Sequence, residues 1–369
     1  MKSPALIEVF QNQNRVGKLA LTRDGVCAFE YDPEFLVSGF SISPFVLPLE
    51  KKVFIAERTP FFGNFGVFDD SLPDGWGSLL VERYLRERFG IVNPLNILQK
   101  LSLVGKTGRG SLEYFPDESF LSDVNFSDFD EIARHCAKLL EEKEISPEDL
   151  EAIYNAGGSS GGARPKVFAR INKKEWLVKF RASADPKNVG AIEYAYSVLA
   201  KKCGIEMPDT QLIQGKYFAV ERFDRSSAGK IHTITASGLA NAYYRIPSLD
   251  YTDLLLITQT LIGEHSALEQ MFRRMVFNVL IGNKDDHSKN FAFQYVNGAW
   301  ALAPAYDMLP SEGFNGQHTT AINGKGNPEK SDIVAVGERV GLSKKQASKI
   351  FEDIREILEQ HPKPKSDNG

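Results

Sequence analysis

The amino-acid sequence predicts an α+β fold of two lobes, with an added small β-rich subdomain at the N-terminus. Three observations lead to this prediction. Short β-like runs fill the first segment, strands and helices mix in the second, and the third is mostly helical with one hairpin. Strands and helices grouped along a chain in this way are typical of α+β architectures. We place the three segments at residues 1–120, 121–225 and 226–369.

The composition is that of an ordinary globular protein, with 369 residues, 42% of them hydrophobic and 25% charged. No apolar run is long enough for a membrane span, and the N-terminus lacks a secretion pattern, so we expect a cytoplasmic protein. Three widely separated cysteines indicate reduced thiols rather than a disulfide framework. A net charge of −4 argues against independent nucleic-acid binding, so we expect DNA contact only through a partner.

The first segment contains the runs ALIEVF, VGKLAL, VCAFEY and KVFIA, which predict a small sheet. After them, SLPDGWGSLLVERYLRERFG carries apolar residues at helical spacing. We predict a helix here, with Asp74 as its cap and Gly90 at its end. The acidic stretch 117–131 is the predicted boundary to the second segment.

The second segment contains a glycine-rich loop, residues 157–166, which we predict to lie between β-like runs, with VFARI and EWLVKF as the runs nearby. A glycine-rich loop between two strands is the protein-kinase arrangement. Its glycines allow backbone N–H groups to approach phosphates closely. Lys166 is followed by valine, so this is not a Walker loop. Lys179 ends the next strand, where it could reach nucleotide phosphates, and Glu193 on the following helix could hold it by an ion pair. A flexible linker, a solvated strand end and a surface charge remain open alternatives.

An extended run, YFAVERFDR, joins the second segment to the third. This is where the adenine-binding hinge of a two-lobed nucleotide enzyme would lie, with the backbone of Glu221 and Phe223 against the base edge. An ordinary strand followed by a turn at Asp224 is the alternative, because backbone contacts leave little trace in the side chains.

The third segment contains IGNKDDHSKNFAFQYVNGAWALAPAYDMLP, which begins where an apolar helix is predicted to end. FAFQY and AWALA flank Asn297-Gly298, a dipeptide typical of hairpin turns that need φ > 0. Asn290 and Asp307 lie at similar distances on either side of this turn, so strand pairing should bring them to the same end of the hairpin. Asp285 lies shortly upstream.

A carboxylate and an amide oxygen side by side, with a second carboxylate nearby, are what phosphoryl transfer requires. Oxygen ligands hold Mg²⁺ against phosphates, and a carboxylate orients the attacking hydroxyl. The Asp-x-x-x-x-Asn spacing from Asp285 to Asn290 equals that of the protein-kinase catalytic loop, and Asp307 falls where the metal-binding Asp follows. A polar helix terminus and turn is one alternative. A phosphoesterase metal cluster of Asp285, Asp286 and His287 is another, ranked lower because the chain has only six histidines.

These motifs together resemble the HipA family of bacterial Ser/Thr kinases, the toxin half of a toxin–antitoxin pair. The resemblance rests on SSGGARPK, the strand lysine, ERFDR, NKDDHSKNFAF and AYDMLP, in that order. It extends from about Ala5 to His361 and includes FGVFDDSLPDGWGSLLVERYL, which is similar to the family's small N-terminal subdomain. It implies a protein-kinase-like fold with a mostly helical C-lobe.

The resemblance also implies ATP and Mg²⁺ as cofactors and a role for each site residue. Asp285 would accept the proton, Lys289 would act near the γ-phosphate, and Asn290 and Asp307 would bind Mg²⁺. Self-phosphorylation of a loop serine, Ser159 or Ser160, would eject the loop and switch the enzyme off. The implied ATP-binding residues are Ser160, Gly161, Gly162, Ala163, Lys166, Lys179, Glu221, Arg222, Phe223 and His287.

The partners implied by the resemblance are a protein substrate, an aminoacyl-tRNA synthetase in studied relatives, and a helix-turn-helix antitoxin of the HipB type. Membrane contact is not expected. Two further functions remain open: a small-molecule kinase on the same scaffold, and a non-catalytic binding module. Intact Lys179, Asp285, Asn290 and Asp307 argue against the non-catalytic module, since a decayed kinase is expected to lose at least one of them.

Overall fold

The computed structural model describes residues 3–119, 128–141, 143–157, 160–313, 315–361, 364 and 367. The chain divides into two compact units. The first unit comprises residues 1–190, 211–232 and 367–369, and the second comprises residues 191–210 and 233–366. The division into three segments at residues 120 and 225 stays a prediction.

The N-terminal part of the first unit is a five-stranded sheet in the order β4-β3-β2-β1-β5. All neighbouring strands pair antiparallel, and each of the four predicted β-like runs contributes a strand. Alternation along β1 buries Ile7 and Val9 in the core. The elements are β1 Leu6–Gln11, β2 Asn14–Leu21, β3 Cys27–Tyr31, α1 Pro33–Ser38, β4 Val53–Ile55, α2 Gly66–Asp69, α3 Gly75–Phe89, α4 Ile97–Val104 and β5 Leu112–Phe115.

The rest of the first unit is built on a four-stranded sheet in the order β6-β7-β9-β8. Helix α3 packs with α5, α6 and this sheet around one core, which contains Trp76, Tyr154 and Val178. The elements are α5 Phe129–Leu140, α6 Pro147–Gly157, β6 Lys166–Ile171, β7 Lys174–Lys179, α7 Val189–Lys202, β8 Thr210–Ile213, β9 Tyr217–Glu221, β10 Arg225–Ser226 and β11 Gly229–Lys230. Helix α7 crosses from the first unit into the second.

The second unit is mostly helical and contains a three-stranded sheet in the order β12-β13-β14. Helix α10 ends at Gly282, whose φ of 76° is the left-handed conformation typical of a glycine helix end. The elements are β12 His232–Thr235, α8 Ala236–Ala240, α9 Tyr251–Ile262, α10 His265–Ile281, the 3-10 turn Ser288–Asn290, β13 Ala292–Val296, β14 Ala299–Leu302, α11 Lys330–Arg339 and α12 Lys344–Gln360.

The predicted turn at Asn297-Gly298 is present, with φ of 52° and 84° at its two residues. Positive φ at both central residues matches the right-handed twist of the strands that the turn connects. Across the part of the chain that the structure describes, no helix combines the length and the apolar character that a bilayer crossing requires.

Candidate functional site

The hairpin of β13 and β14 brings two of the predicted ligands to one end. Its ladder extends from the Asn297-Gly298 turn to the pair Phe293 and Leu302. One further bond, from the Ala303 N–H to the Ala292 carbonyl, is 3.0 Å long. Asn290 and Asp307 are the polar residues just beyond this open end, so they leave the hairpin together, as the sequence predicts.

Hydrogen bonds fix the orientation of both residues. The Asn290 side-chain N–H donates to the Asp285 carbonyl at 2.8 Å, which leaves the amide oxygen of the same side chain for a cation. Asp307 has a φ of 53°, a left-handed conformation that is uncommon outside glycine. Its carbonyl accepts a 3.1 Å bond from the buried Asn283 side chain. One amide oxygen and one carboxylate suit Mg²⁺, which completes its shell with waters and phosphates rather than with protein alone.

Two adjacent aspartates of this loop, residues 283–290, have opposite environments. Asp285 is exposed, whereas the Asp286 side chain is completely buried. The Asp286 carboxylate accepts from the Tyr251 hydroxyl at 2.9 Å and the Thr319 N–H at 2.9 Å, and lies 2.8 Å from His318 Nδ1. Burial and the Asp286 charge raise the pKa of Tyr251 well above its usual value, so this hydroxyl remains a donor. Asp286 therefore anchors the loop, and Asp285 faces solvent.

This arrangement argues against the phosphoesterase interpretation, which required Asp286 as a metal ligand. The Asp286 oxygens already accept hydrogen bonds from the protein. Among the residues described, no three His, Cys, Asp or Glu side chains are grouped so as to hold a metal ion.

Lys289 and His287 lie against Tyr244, a residue outside all of the sequence motifs. The Lys289 ammonium lies 4.2 Å from the centroid of the Tyr244 ring, a cation–π distance, and the His287 ring lies 5.5 Å from it. Lys289 is buried, and its carbonyl accepts a 2.6 Å bond from the Tyr306 hydroxyl. Tyr244 is far in the sequence from His287 and Lys289, and no motif links them, so only the fold reveals the contact.

The glycine-rich loop lies in the first unit, between helix α6 and strand β6. The prediction that it lies between two strands is wrong, because residues 147–157 form a helix directly before it. Gly158 and Ser159 are outside the described residues. Ser160 is buried, and its hydroxyl donates to the Gly157 carbonyl at 2.5 Å. The Lys166 ammonium donates to the Gly161 carbonyl, so this side chain turns back onto its own loop. Ala163 is exposed at the tip.

Lys166 and Lys179 are directly opposite each other in the β6–β7 ladder. Like charges opposite each other on one sheet face repel, so an anionic group beside them is stabilising. This pair of lysines suits the phosphates of a nucleotide. Glu193 is buried on α7 in the second unit, and its ion pair with Lys179 stays a prediction.

The hinge segment, Glu221–Phe223, continues from β9. The Arg222 N–H donates to the Glu175 carbonyl on β7 at 2.8 Å. Because backbone groups alternate along a strand, those of Glu221, the last residue of β9, are directed away from β7. That orientation is the one a base-binding hinge needs. Phe223 lies in the turn that follows the strand.

The Arg222 side chain is engaged with Asp224 rather than directed to a ligand. Its guanidinium lies 2.8 Å from the buried Asp224 carboxylate, which also accepts a 2.8 Å bond from the Gly110 N–H. Arg225 contacts the same carboxylate at 3.1 Å. Burial alone would raise the pKa of Asp224, but the charges of Arg222 and Arg225 outweigh it and hold the pKa well below its usual range. Both the side chain and the main-chain N–H of Arg222 are thus engaged within the protein, and its contact with ATP stays a prediction.

Family models match both parts of the chain. Residues 158–361 match the HipA-like C-terminal domain, and residues 7–115 match the HipA N-terminal domain. The chain belongs to the HipA family. The family resemblance predicted from the motifs is thereby confirmed.

A solved structure with a similar fold supports the same assignment. It is the Shewanella oneidensis complex of HipA, HipB and operator DNA, with a TM-score of 0.71 and 19% identity, covering 98% of this HipA-family chain and 92% of the solved one. At that identity the likeness shows the fold, and it confirms the predicted fold class.

Two curated relatives carry the names of kinases. The putative kinase Y4dM of Sinorhizobium fredii is 26% identical over 349 residues, which cover 82% of this chain and 75% of that protein. The serine/threonine-protein kinase toxin HipA of Shewanella oneidensis is 22% identical over 339 residues, covering 82% and 74%. These names indicate a kinase of the HipA type. The roles of individual residues stay predictions.

Sequence reasoning missed other residues that shape this HipA-type site. Arg164, within the glycine-rich loop, makes a bidentate pair with Asp185, with its Nε 3.1 and 3.0 Å from the two carboxylate oxygens. Asp74 was predicted only as a helix cap, yet its carboxylate accepts from the Gly162 N–H. Each of these contacts joins residues from different motifs, so no single motif could have indicated it.

Proposed function

We propose that this HipA-family chain is an ATP- and Mg²⁺-dependent serine/threonine protein kinase that acts as the toxin of a toxin–antitoxin pair. The observation that carries the proposal is the loop of residues 283–290 with the end of its hairpin. There Asn290 and Asp307 share one end of a ladder, Asp285 is exposed beside them, and Asp286 is buried as the anchor.

The proposed roles in the second unit follow from chemistry. Asn290 and Asp307 would hold Mg²⁺, which when bound neutralises charge on the transferred phosphoryl group. Asp285 would orient the acceptor hydroxyl and take its proton, a role that its exposure favours. Lys289, held against Tyr244, would stabilise negative charge near the γ-phosphate.

The proposed roles in the first unit concern the nucleotide. The glycine-rich loop from Ser160 to Ala163, with Lys166 and Lys179, would bind the phosphates, and Glu221–Phe223 would meet the adenine through its backbone. The opposed lysines and the backbone direction at the hinge support these roles. His287 of the second unit would complete the ATP-binding set.

The proposed biology is that of a toxin acting in the cytoplasm. Its partner would be a helix-turn-helix antitoxin of the HipB type, since the similar Shewanella structure contains HipB and operator DNA. DNA contact would come through that antitoxin, in keeping with the net charge of −4. The substrate would be a translation-related protein such as an aminoacyl-tRNA synthetase. Phosphorylation of Ser159 or Ser160 would place about −1.5 to −2 charges in the phosphate-binding loop and inhibit the enzyme.

The test is phosphoryl transfer from γ-labelled ATP and Mg²⁺ by phosphatase-treated protein, with mass spectrometry to map the phosphate. Asp307→Ala or Asp285→Ala should lower incorporation by about 10³-fold, because both side chains act in the transition state. Glu312→Ala, which removes an exposed carboxylate shortly after Asp307 in the sequence, is the matched control and should retain activity. Wild-type turnover in either aspartate variant would refute the site.

The same material separates the remaining functions. Label on serine or threonine of the chain itself or of lysate proteins indicates a protein kinase, whereas label only in small molecules indicates the alternative acceptor class. Growth arrest on expression of the wild type but not of Asp307→Ala would support the toxin role. Equal growth of the two strains would reject that role and leave the kinase assignment intact.

A further inference from the structure

Asp74 lies at the N-cap position of α3 but does not cap that helix. Its φ of −128° and ψ of 170° are the extended conformation of an N-cap residue. An aspartate in this position ordinarily accepts from an N–H of its own first turn. Here no such bond forms, and the carboxylate accepts instead from the N–H of Gly162 in the glycine-rich loop, 88 residues away.

The next two residues of α3 hold the same part of the loop. The Trp76 N–H donates to the Gly162 carbonyl at 2.9 Å. The indole N–H of Trp76, which is buried, donates to the Lys166 carbonyl at 3.0 Å. Gly75 has a φ of 44°, and a side chain there would lie 2.6 Å from the Gly162 carbonyl oxygen. The segment Asp74–Trp76 therefore holds both backbone groups of Gly162 at close range.

These contacts occupy groups that a nucleotide phosphate would need. A backbone N–H at a glycine is a typical phosphate donor, and the Gly162 N–H already donates to a carboxylate. The Lys166 ammonium donates to the Gly161 carbonyl. Gly161 is also close to this carboxylate, because a side chain at that residue would lie 3.1 Å from Asp74 Oδ1. A negative charge thus stands beside the loop on which phosphates would bind.

We propose that Asp74 competes with the nucleotide phosphates for the Gly162 N–H, and so sets the affinity of the loop for ATP. This inference rests on the proposed role of the glycine-rich loop. Hydrogen bonds to a charged acceptor are stronger than those to a neutral one, so the carboxylate favours the docked loop. Nucleotide binds only after the phosphate replaces Asp74 at the Gly162 N–H. The apparent affinity for nucleotide is therefore the intrinsic affinity multiplied by the fraction of molecules in which Asp74 does not hold the loop. Asp74 acts through the loop and is a positioning residue.

The decisive variant is Asp74→Asn, which keeps the size of the side chain and its hydrogen-bond acceptor but removes the charge. Asparagine and serine are both favoured N-cap residues, so Asp74→Ser is a second variant that keeps α3 able to start. Glu82→Gln is the matched control, since it removes one negative charge from an exposed position on the same helix. Calorimetry with Mg²⁺ and a non-hydrolysable ATP analogue gives Kd, and hydrogen exchange follows the loop amides without nucleotide.

We expect both Asp74 variants to bind the analogue about fivefold more tightly than wild type. A hydrogen bond to a neutral acceptor is weaker than one to a carboxylate by about this factor in the equilibrium constant, so the phosphate displaces it more easily. Amides of residues 160–166 should exchange faster in those variants, and Glu82→Gln should match wild type in both measurements. Unchanged or weaker binding by the Asp74 variants, or unchanged loop exchange, would overturn the inference. A wild type that binds no nucleotide would overturn the inference together with the proposed function. If the wild type binds nucleotide but the Asp74 variants do not bind it more tightly, only the role of Asp74 is refuted.

Discussion

The loop of residues 283–290 in the second unit and the glycine-rich loop of the first unit are held in different ways. The 283–290 loop is anchored by a buried side chain, Asp286, whose partners come from α9 and from residues 318–319. The glycine-rich loop is held through its own backbone and Lys166, by bonds to Asp74 and Trp76 and within the loop. A ligand cannot replace the first set of contacts, but phosphate oxygens can replace part of the second. The loop that we propose to bind Mg²⁺ is therefore preorganised, and the contacts of the loop that we propose to bind nucleotide are exchangeable.

The largest effect expected from this comparison is on the stability of the second unit. Asp286→Ala should lower its free energy of unfolding by roughly 3–5 kcal/mol, because the buried Tyr251 and His318 groups lose their acceptor. Urea-dependent hydrogen exchange of second-unit peptides measures the change.

Its neighbour provides the control. Asp285→Ala should change the same free energy by about 0.5 kcal/mol or less, because the side chain is exposed. It should still lower phosphoryl transfer by about 10³-fold. Equal stability losses in the two variants would contradict the division between an anchoring and a reacting aspartate.

The second effect concerns the first unit and its dependence on pH. Asp224 has a depressed pKa in the folded protein, so its stabilisation is present above the ordinary value of about 4 and is lost as the pH falls below it. At pH 7, Asp224→Asn should lower the free energy of unfolding by about 3 kcal/mol, and the difference from wild type should shrink in acid.

Tryptophan fluorescence can isolate this effect. The chain has three tryptophans, and in a Trp300→Phe background the remaining two, Trp76 and Trp176, both belong to the first unit. Asp130→Asn is the control, since it removes an exposed carboxylate that pairs with Lys216, and it should change unfolding far less. If the difference in free energy of unfolding between Asp224→Asn and wild type stays constant down to pH 3, the ion pairs of Asp224 do not cause that difference.

The sequence predicted the parts of this site that depend on local rules. The Asn297-Gly298 turn, and with it the position of Asn290 and Asp307 beyond one end of the hairpin, follows from turn chemistry and the two-residue period of strands. Which of two adjacent aspartates is buried depends on Tyr251 and His318, residues distant in sequence, so spacing could not separate Asp285 from Asp286.

The same limit applies to the first unit. Asp74 carries every local mark of a helix cap, and nothing in its neighbours shows that a glycine 88 residues away takes its carboxylate. Local propensity determines where an element begins, whereas the partner of a polar side chain at that point is decided by tertiary packing. Predictions from motifs therefore succeeded for the fold class and for the strands of the N-terminal sheet and the hairpin, but missed helix α6 before the glycine-rich loop and the contacts between elements.

The smallest expected effect tests how far the hairpin depends on its turn. Gly298 has a φ of 84°, and a Cβ added there would meet no atom within 4 Å, so Gly298→Ala introduces backbone strain without a clash. We expect a loss of about 1 kcal/mol in the free energy of unfolding of the second unit, measured as for Asp286→Ala. Phosphoryl transfer should be nearly unchanged, because Asn290 and Asp307 lie at the opposite end of the ladder and are held there by Asp285 and Asn283. Asn297→Gly relaxes the same turn and should be neutral. A large loss of activity in Gly298→Ala would instead mean that the turn sets the register of the strands, since a slip of one residue moves every side chain to the other face.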